Sequence, residues 1–591
     1  MKQRRVVLLI PALVATLLTV GCERKVRVAA PTIERLTNVV NEIMSVGEFY
    51  RSPEPNHKES LLSFVRWSEG GQGLFQMEFA TGIVKRIPHE PRVQIIFTWS
   101  PDDHFLLLKD SVIGTGLRVY DCQSDSFRPI DKESSFAVGQ IDWLGTNRLA
   151  YISKNGKNAE LRLLTLGESH KSLRTFPNPG TMDWMTPISD HRIAYLENKE
   201  IWSIDVDSGE ATQLTTNLCS QYLWLNFSKE NKEFLFCWWD KSEWRHLFRL
   251  DSTGSLKLTQ LTFGPEHSYN GQWIQKGTGI AYVAHITNHF YLAVRPKNAS
   301  QSTNLFAGGH VIAYRVSDDG EKIYAAAAIG MEPPRIWRYV IKDLSLTSLV
   351  TGTNAPFINA TIAQSTEEWV KSFDGLAIPY YLLRPPNLET GRKYPVVIAI
   401  PPESGQFVQA WEKYGQFIAN LGAYYVAVNP RGSDGYGLTF RQKHDGDAYR
   451  DILAVRKRVL ENPNADSDHV FLITWSNGSK VADNLATKHP GLWDGVILIS
   501  GQPPDISSRS PKLPRYLLFM GDADSPARVN RSRLFAASAK TNGVAVRLLT
   551  DRKTGHHVTD VNVDKRIGSA IAEFMYRTNY TKNDSGVSHP D

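Results

Sequence analysis

The chain has 591 residues, 42% hydrophobic, 22% charged and 10% aromatic, which is ordinary for a globular protein. That length allows two or three domains, each able to bury a full core. The formal charge of +6 is small for the size, and no Lys/Arg run of nucleic-acid type follows the N-terminus, so nothing points to a polyanion partner.

Residues 1–21 read as a lipoprotein signal peptide. Lys2, Arg4 and Arg5 form a basic start, and Val6 to Val20 is apolar but interrupted by Pro11. Such a stretch is short for a membrane span and suits a secretory signal. Gly21-Cys22 resembles a bacterial lipobox, although Thr19 stands where leucine is usual. The resemblance implies cleavage before Cys22 and a lipid anchor on its thiol, the only membrane attachment expected. Glu23 favours the periplasmic face of the outer membrane if the source is Gram-negative. Plain secretion and an uncleaved anchor are the alternatives.

Of the remaining cysteines, Cys122, Cys219 and Cys237, at least one must be unpaired. Cys219 and Cys237 could bridge in an oxidising compartment. No Cys/His cluster has zinc spacing, so neither metal nor other cofactor is expected.

Residues 22–55 read as a tether and one helix. Ile33, Leu36, Val39, Val40, Ile43 and Met44 recur at helical spacing as a packing face, and Pro53 and Pro55 close the segment. From 56 to 358 the chain repeats itself. Val65-Arg-Trp67, Phe97-Thr-Trp99, Ile141-Asp-Trp143, Met182-Asp-Trp184, Tyr222-Leu-Trp224 and Gly271-Gln-Trp273 each precede a turn and an apolar strand. A seventh unit keeps the frame without the tryptophan, from Val316 to Ala325. A period of about 40 residues with short strands predicts a seven-bladed β-propeller, with the tryptophans as core residues.

The period stops near Phe357, and residues 359–580 read as an α/β domain. A hairpin turning at Asp374-Gly375 comes first, followed by buried-strand runs at Pro395 to Ile400 and Tyr424 to Val428 around a helical stretch. Then comes Thr474-Trp475-Ser476-Asn477-Gly478, a serine on a strand-to-helix turn. Such an elbow exposes the serine hydroxyl and points the next N–H where an oxyanion would form. Asp524 sits at the end of the next strand, after the apolar run Tyr516 to Met520, and His556 precedes the last helix. Singly, each is an ordinary turn or loop residue; together, Ser…Asp…His is the α/β-hydrolase order. Residues 581–591 read as a disordered tail.

A seven-bladed propeller followed by an α/β-hydrolase domain resembles the prolyl oligopeptidase family of serine peptidases. Lys393 to Ile398, Val428-Asn-Pro-Arg-Gly-Ser-Asp-Gly-Tyr-Gly437 and Gly521-Asp-Ala-Asp524 occur in family order. The resemblance implies that Ser476 is the nucleophile, His556 the general base and later acid, and Asp524 its orienting partner. Asn477 would lend its backbone N–H to the oxyanion hole; His557 and Asp522 are the neighbours that could be confused with the triad.

Three departures stand out. Thr474 replaces the first elbow glycine. Pro401-Pro-Glu-Ser-Gly405 stands where the family supplies a second oxyanion donor. The interval from Ser476 to Asp524 is short, with the loss expected around Pro504 to Pro511, which normally shapes the pocket. The expected activity is cleavage of short peptides through an acyl-enzyme. The alternatives are a catalytically impaired binding module tethered at the surface, and an esterase. No acidic pair for a peptide amino terminus is evident, so exo- and endo-cleavage stay open, as does oligomeric state.

Overall fold

The computed structural model describes Val26–Arg27 and residues 31–576, except 88–92, 111–116, 132–140, 156–157, 177–181, 217–221, 240–242, 254–256, 297–298, 300, 306–308, 352–356, 403–404, 444–445 and 505–512. The signal peptide, Cys22, Cys219, Glu403, most of the segment around Pro504 to Pro511 and the C-terminal tail therefore lie outside the described residues.

Seven blades of four strands, each blade drawn from consecutive chain, span residues 49–351. The second strand of a blade is buried on both faces between its neighbours, as in Lys322–Ile329, whereas an outer strand such as Val84–Arg86 is exposed. This is why the inner strands read as continuous apolar runs. The ring begins earlier than the expected residue 56. Phe49–Pro55 is the first strand of blade 1 and pairs with Leu61–Ser68. Its two prolines read as terminators, yet they sit in a strand whose register shifts between Tyr50 and Glu54. Trp67 accordingly belongs to a second strand, while Trp99, Trp143, Trp184, Trp224 and Trp273 lie on first strands.

The tryptophans also divide in role. Trp99 and Trp143 are buried core residues. Trp184, Trp224 and Trp273 are partly buried: they pack on the blade cores and also line a cavity of about 320 Å³ in the propeller.

Among the described residues no strand crosses from the last blade to the first, and the ring closes there by side-chain contacts. Phe49, Leu62 and Phe64 of blade 1 pack on Tyr324, Ala326 and Ile336 of blade 7. Polar contacts follow the same seam: Lys322 Nζ to Glu59 Oε1 at 2.9 Å, Tyr324 Oη to Glu59 Oε2 at 2.8 Å, and Arg315 Nε to Glu54 Oε2 at 3.3 Å. Cys237 is a buried free thiol that donates to the Ser268 carbonyl at 3.1 Å.

The hydrolase sheet runs β1 (Ser365–Lys371), β2 (Ala377–Leu383), β3 (Arg392–Ile400), β4 (Tyr424–Val428), β5 (Ala465–Trp475), β6 (Gly495–Ile499), β7 (Arg515–Gly521) and β8 (Val546–Asp551). Its spatial order is β1-β2-β4-β3-β5-β6-β7-β8, parallel from β4 to β8. Val26–Arg27 pairs with the start of β3, and helix α1 (Ile33–Ile43) also joins this domain. Thr32 caps α1, its side chain accepting from the Arg35 N–H at 3.2 Å. The apolar stripe Val39, Val40, Ile43 and Met44 packs with Phe417 and Ile418 of α2 (Lys413–Asn420) and with Ile567 and Ile571 of the C-terminal helix Val561–Tyr576. The hydrolase domain thus includes chain from both sides of the propeller.

Under that contact lies a buried ion pair. Lys413 Nζ is 2.8 Å from Asp564 Oδ2 and 3.6 Å from a Glu48 oxygen, and Tyr414 Oη donates to Asp564 Oδ1 at 2.8 Å. Burial pushes the Glu48 carboxyl up, against the pull of Lys413.

A second buried charge organises the other face. Arg431 receives Asp451 through Nε and Nη2 at 3.0 and 2.9 Å, and Asp374 through Nη1 and Nη2 at 3.1 Å each. This ties the loop after β4 to the β1–β2 turn and to helix α3 (Ala448–Val459).

The same loop then enters the propeller. Asp434 lies 3.9 Å from Arg245 Nη1 and 3.7 Å from His267 Nε2. Glu243 accepts from the Thr439 N–H at 2.9 Å. Gly435, at φ +89°, passes so close to blade 6 that a Cβ would overlap the Thr287 carbonyl. The C-terminal ends of the hydrolase strands therefore face the propeller.

Two outcomes follow. Lys413→Ala leaves Asp564 buried without its cation and should cost about 3–5 kcal/mol of stability. Lys413→Met with Asp564→Leu should cost less, in urea unfolding followed by fluorescence; a single variant as stable as the double would refute the pairing argument. For the seam, burial raises Glu54 from 4.5 to about 7, with Arg315 opposing. A raised folded pKa gives stability that is full below the unfolded value and lost as pH rises through the folded one. Wild-type stability should fall between about pH 4.5 and 7 by a component that Glu54→Gln abolishes. An identical pH profile for the variant would exclude Glu54 as its source.

Candidate active site

Ser476 follows the end of β5 with φ +48°, in the left-handed region that a serine rarely occupies. The turn holds it there. Thr474, fully buried, donates its hydroxyl to the Ile400 carbonyl at 3.0 Å and so ties β5 to β3. Its Oγ1 fills the space where a Cβ on Gly478 would stand, with the Pro401 carbonyl closing the other side. The expected crowding at Thr474 is thus taken up by the one elbow glycine that remains. Downstream, Ser479 Oγ donates to the Ser476 carbonyl at 2.7 Å and accepts from the Gln502 N–H at 3.0 Å, locking the start of helix α4 (Ser479–Lys488).

Asp524 and His556 are brought to the serine by close backbone approach. Gly521 ends β7, and a Cβ there would overlap the Thr554 carbonyl of the histidine loop. The Ala523 N–H donates to that carbonyl at 3.0 Å, and Asp551 holds Thr554 through its N–H at 3.0 Å and its hydroxyl at 2.9 Å. Ser476 Oγ then lies 2.9 Å from His556 Nε2, and His556 Nδ1 lies 2.8 Å from Asp524 Oδ2. Asp524 is 5% exposed and His556 27%, so the carboxylate is sheltered while the imidazole reaches the open side. A carboxylate only accepts, so Nδ1 carries the proton and Nε2 offers its lone pair to the serine hydroxyl.

The two confusable neighbours are turned elsewhere. Asp522 pairs with Arg533 Nη2 at 2.9 Å. His557 is exposed and stands edge-on to His556, ring centroids 5.3 Å apart.

Asn477 is the second residue of a 3₁₀ turn, Ser476–Gly478, so its backbone N–H lies in the first turn, where no intrahelical acceptor exists. Across from it, Pro401 and Pro402 have no N–H, and Gly405 gives its own to the Pro402 carbonyl at 2.7 Å. A cavity of about 250 Å³ adjoins this corner, between the two prolines, Tyr449, Asn477 and Val481.

One residue at the site escaped sequence reading. Arg528, on helix α5 (Pro526–Thr541), brings Nη1 to 2.6 Å from His556 Nδ1 and 3.0 Å from Nε2, and to 3.8 Å from Asp524 Oδ1. Its position four residues after Asp524 puts it one helical turn on, a signal that becomes legible only once Pro526 is seen to start the helix.

Among the described residues, no group of His, Cys, Asp and Glu could hold a metal ion.

Residues 410–502 match the family model described as "Prolyl oligopeptidase family". Dipeptidyl-peptidase 5 of Porphyromonas gingivalis is 22% identical over 449 residues, covering 68% of this chain and 63% of that protein. The human acylamino-acid-releasing enzyme is 24% identical over 240 residues, covering 32% of each chain. The match thus spans less than two thirds of either relative. A Mycobacterium tuberculosis puromycin-hydrolyzing peptidase superposes with a TM-score of 0.76 at 13% identity, covering 93% of this chain and 97% of that one, a likeness of fold. Residues 410–502 thus match the prolyl oligopeptidase family, and the chain as a whole shares its propeller-plus-hydrolase fold with the solved peptidase.

Proposed function

We propose that the protein cleaves short peptides through an acyl-enzyme on Ser476, with His556 as base and then acid and Asp524 fixing the imidazole. The observation that carries this reading is the hydrogen-bonded line from Ser476 Oγ through His556 to Asp524, on an elbow with φ +48° at the serine. In the first step His556 Nε2 takes the hydroxyl proton as Oγ attacks the carbonyl. Collapse of the tetrahedral intermediate sends that proton to the leaving amine. Water then repeats the sequence to release the acid. The propeller, docked over the strand ends, restricts the size of substrate that reaches the serine.

The oxyanion corner sets the rate. Asn477 offers one N–H, while Pro401 and Pro402 offer none. Loss of one oxyanion donor typically costs about 3 kcal/mol in the transition state, a hundredfold or more in rate. Reactive esters should therefore acylate the enzyme more readily than amides, whose leaving group must also be protonated. The same observation favours the second reading, a binding module whose hydrolase domain no longer turns over.

A fluorophosphonate probe separates the two. Wild type should label, Ser476→Ala and His556→Ala should not, Asp524→Asn should label weakly, and His557→Ala should retain most labelling. Folded wild-type protein that neither labels nor cleaves an activated ester would decide for the binding module.

We further propose that the mature chain begins at a lipidated Cys22 in a bacterial envelope, supported by the basic start, the short apolar stretch and Gly21-Cys22. Cys22→Ser should abolish palmitate labelling and release the protein from the membrane fraction. Membrane retention with no lipid on the wild type would contradict the anchor.

A further inference from the structure

The backbone register of Val26–Arg27 fixes where the N-terminal segment leaves the hydrolase domain. These two residues pair in parallel with Arg392 and Lys393, the first residues of β3. Cys22 lies four residues before Val26, and four residues of fully extended chain span at most about 14 Å. A lipid on Cys22 therefore holds the start of β3 within about 14 Å of the bilayer surface, whatever path the intervening residues take.

That bound decides between orientations. β3 is nine residues long, and at about 3.3 Å per residue its first and last Cα atoms stand about 26 Å apart. Thr474 pairs with Ile400, the last residue of β3, so Ser476 is at the far end of that rise, with the propeller beyond it. An inverted molecule, propeller against the lipid, would need a tether longer than about 26 Å and has at most about 14 Å. Only the N-terminal strand ends or a flank of the domain can lie on the bilayer.

The surface at the strand starts favours the first. The β2–β3 loop emerges at this end, because β2 runs antiparallel to β4 and β3 runs parallel to it. Its backbone is pinned. The Glu389 N–H donates to Tyr394 Oη at 2.7 Å, and that hydroxyl donates to the Asn387 carbonyl at 3.1 Å. Asn464 Nδ2 donates to the Glu389 and Arg392 carbonyls at 3.0 and 2.9 Å. Leu388 stands between those bonds, 40% exposed. Helix α1 starts at the same end, where Arg35 Nη2 donates at 3.3 Å to the carbonyl of Asn420, at the end of α2 and just before β4. Its first residue, Ile33, is 84% exposed. One exposed aliphatic side chain is ordinary on any surface. Two on fixed elements, at the end to which the anchor draws the lipid, are contacts already in place.

Building on the lipidated-Cys22 reading above, we propose that the end of the hydrolase domain formed by the strand starts, with Ile33 and Leu388, is a bilayer-contacting surface. Its partner is a phospholipid surface, which the two side chains enter at the level of the headgroups. Ser476 and the propeller then point into the aqueous phase, so the site draws on dissolved substrate and not on chains embedded in the membrane.

Hydroxyl-radical footprinting reads the contact one side chain at a time, with oxidation quantified by mass spectrometry. Natively processed protein in vesicles of phosphatidylethanolamine and phosphatidylglycerol is compared with soluble Cys22→Ser. Oxidation of Ile33 and Leu388 should fall about threefold or more on the vesicles, while Leu534 on a flank and Ile83 and Leu344 of the propeller, all well exposed, keep their soluble rates. Protection of Leu534 with Ile33 and Leu388 left open would lay the molecule on its side. Protection of Ile83 or Leu344 would invert it, and uniform rates would leave no preferred face. Each of these overturns the proposal.

A second preparation separates the face from the anchor. A chain beginning at Cys22, with Cys122→Ser and Cys219→Ser removing competing thiols, is coupled through Cys22 to a maleimide-bearing lipid in the same vesicles. Should wild type carry no natural lipid, the anchor reading fails, while the coupled chain still reports which face the short tether presents. Ile33 and Leu388 protected in that chain uphold the surface; Ile33 and Leu388 oxidised at their soluble rates refute it.

Discussion

The buried guanidinium of Arg431 is the interaction on which the two-domain arrangement rests. Its side chain is 2% exposed and its planar fork is filled by two carboxylates, Asp451 and Asp374, one from a helix and one from a hairpin turn. A buried Arg–carboxylate set is costly to desolvate and specifies geometry more than it adds stability. Here the geometry it specifies is that of the loop after β4. Three residues on, Asp434 meets Arg245 and His267 of the propeller, and Gly435 touches the Thr287 carbonyl. Burial drives His267 down to about 3 and His285 to about 4, so both are neutral rings at the joint and Asp434 finds its charge partners in Arg245 and Arg441. The Val428 to Gly437 motif thus holds the hydrolase and the propeller to each other, and through them the distance between the strand ends and the blades.

Within that frame the site is assembled by glycines at points of contact. Gly521 admits the histidine loop and Gly478 admits the side chain of Thr474. A Cβ on Gly521 would push the histidine loop off the end of β7, and one on Gly478 would displace Thr474 or the Pro401 carbonyl beside Ser476. The catalytic geometry is in this sense a packing result: the hydrogen bonds at 2.8 and 2.9 Å exist because backbone carbonyls can lie where side chains would otherwise be.

The sequence carried the parts of this that depend on periodicity and order. The 40-residue recurrence gave the propeller, and the Ser476, Asp524, His556 order gave the three residues the fold brings together. What stayed hidden depends on tertiary partners. Phe49–Pro55 reads as the end of a tether because of its prolines, yet it pairs as a strand once Leu61–Ser68 is beside it. The α1 stripe announces a buried face but not which domain covers it; the answer comes from Phe417 and Ile571, hundreds of residues downstream. Trp184, Trp224 and Trp273 pack on blade cores as the spacing suggests, but they are only partly buried and also line a cavity, which spacing cannot express. Arg528 was invisible because one helical turn separates it from Asp524, and an arginine at that spacing is ordinary on any helix.

The two departures at the elbow and the oxyanion loop, separate in sequence, are one feature in space. Thr474 donates to the carbonyl of Ile400, the last residue before Pro401, and the Pro401 carbonyl lies against Gly478. A glycine at 474 would leave Ile400 without that bond and the start of the loop free to shift. The threonine pins the loop, and the prolines stiffen it where it is pinned. The corner gains rigidity, and at positions 401 and 402 it has no N–H to offer. In the proposed mechanism the described donor to an oxyanion would be the Asn477 N–H, beside the N-terminal end of α4, where partial positive charge is directed at the site.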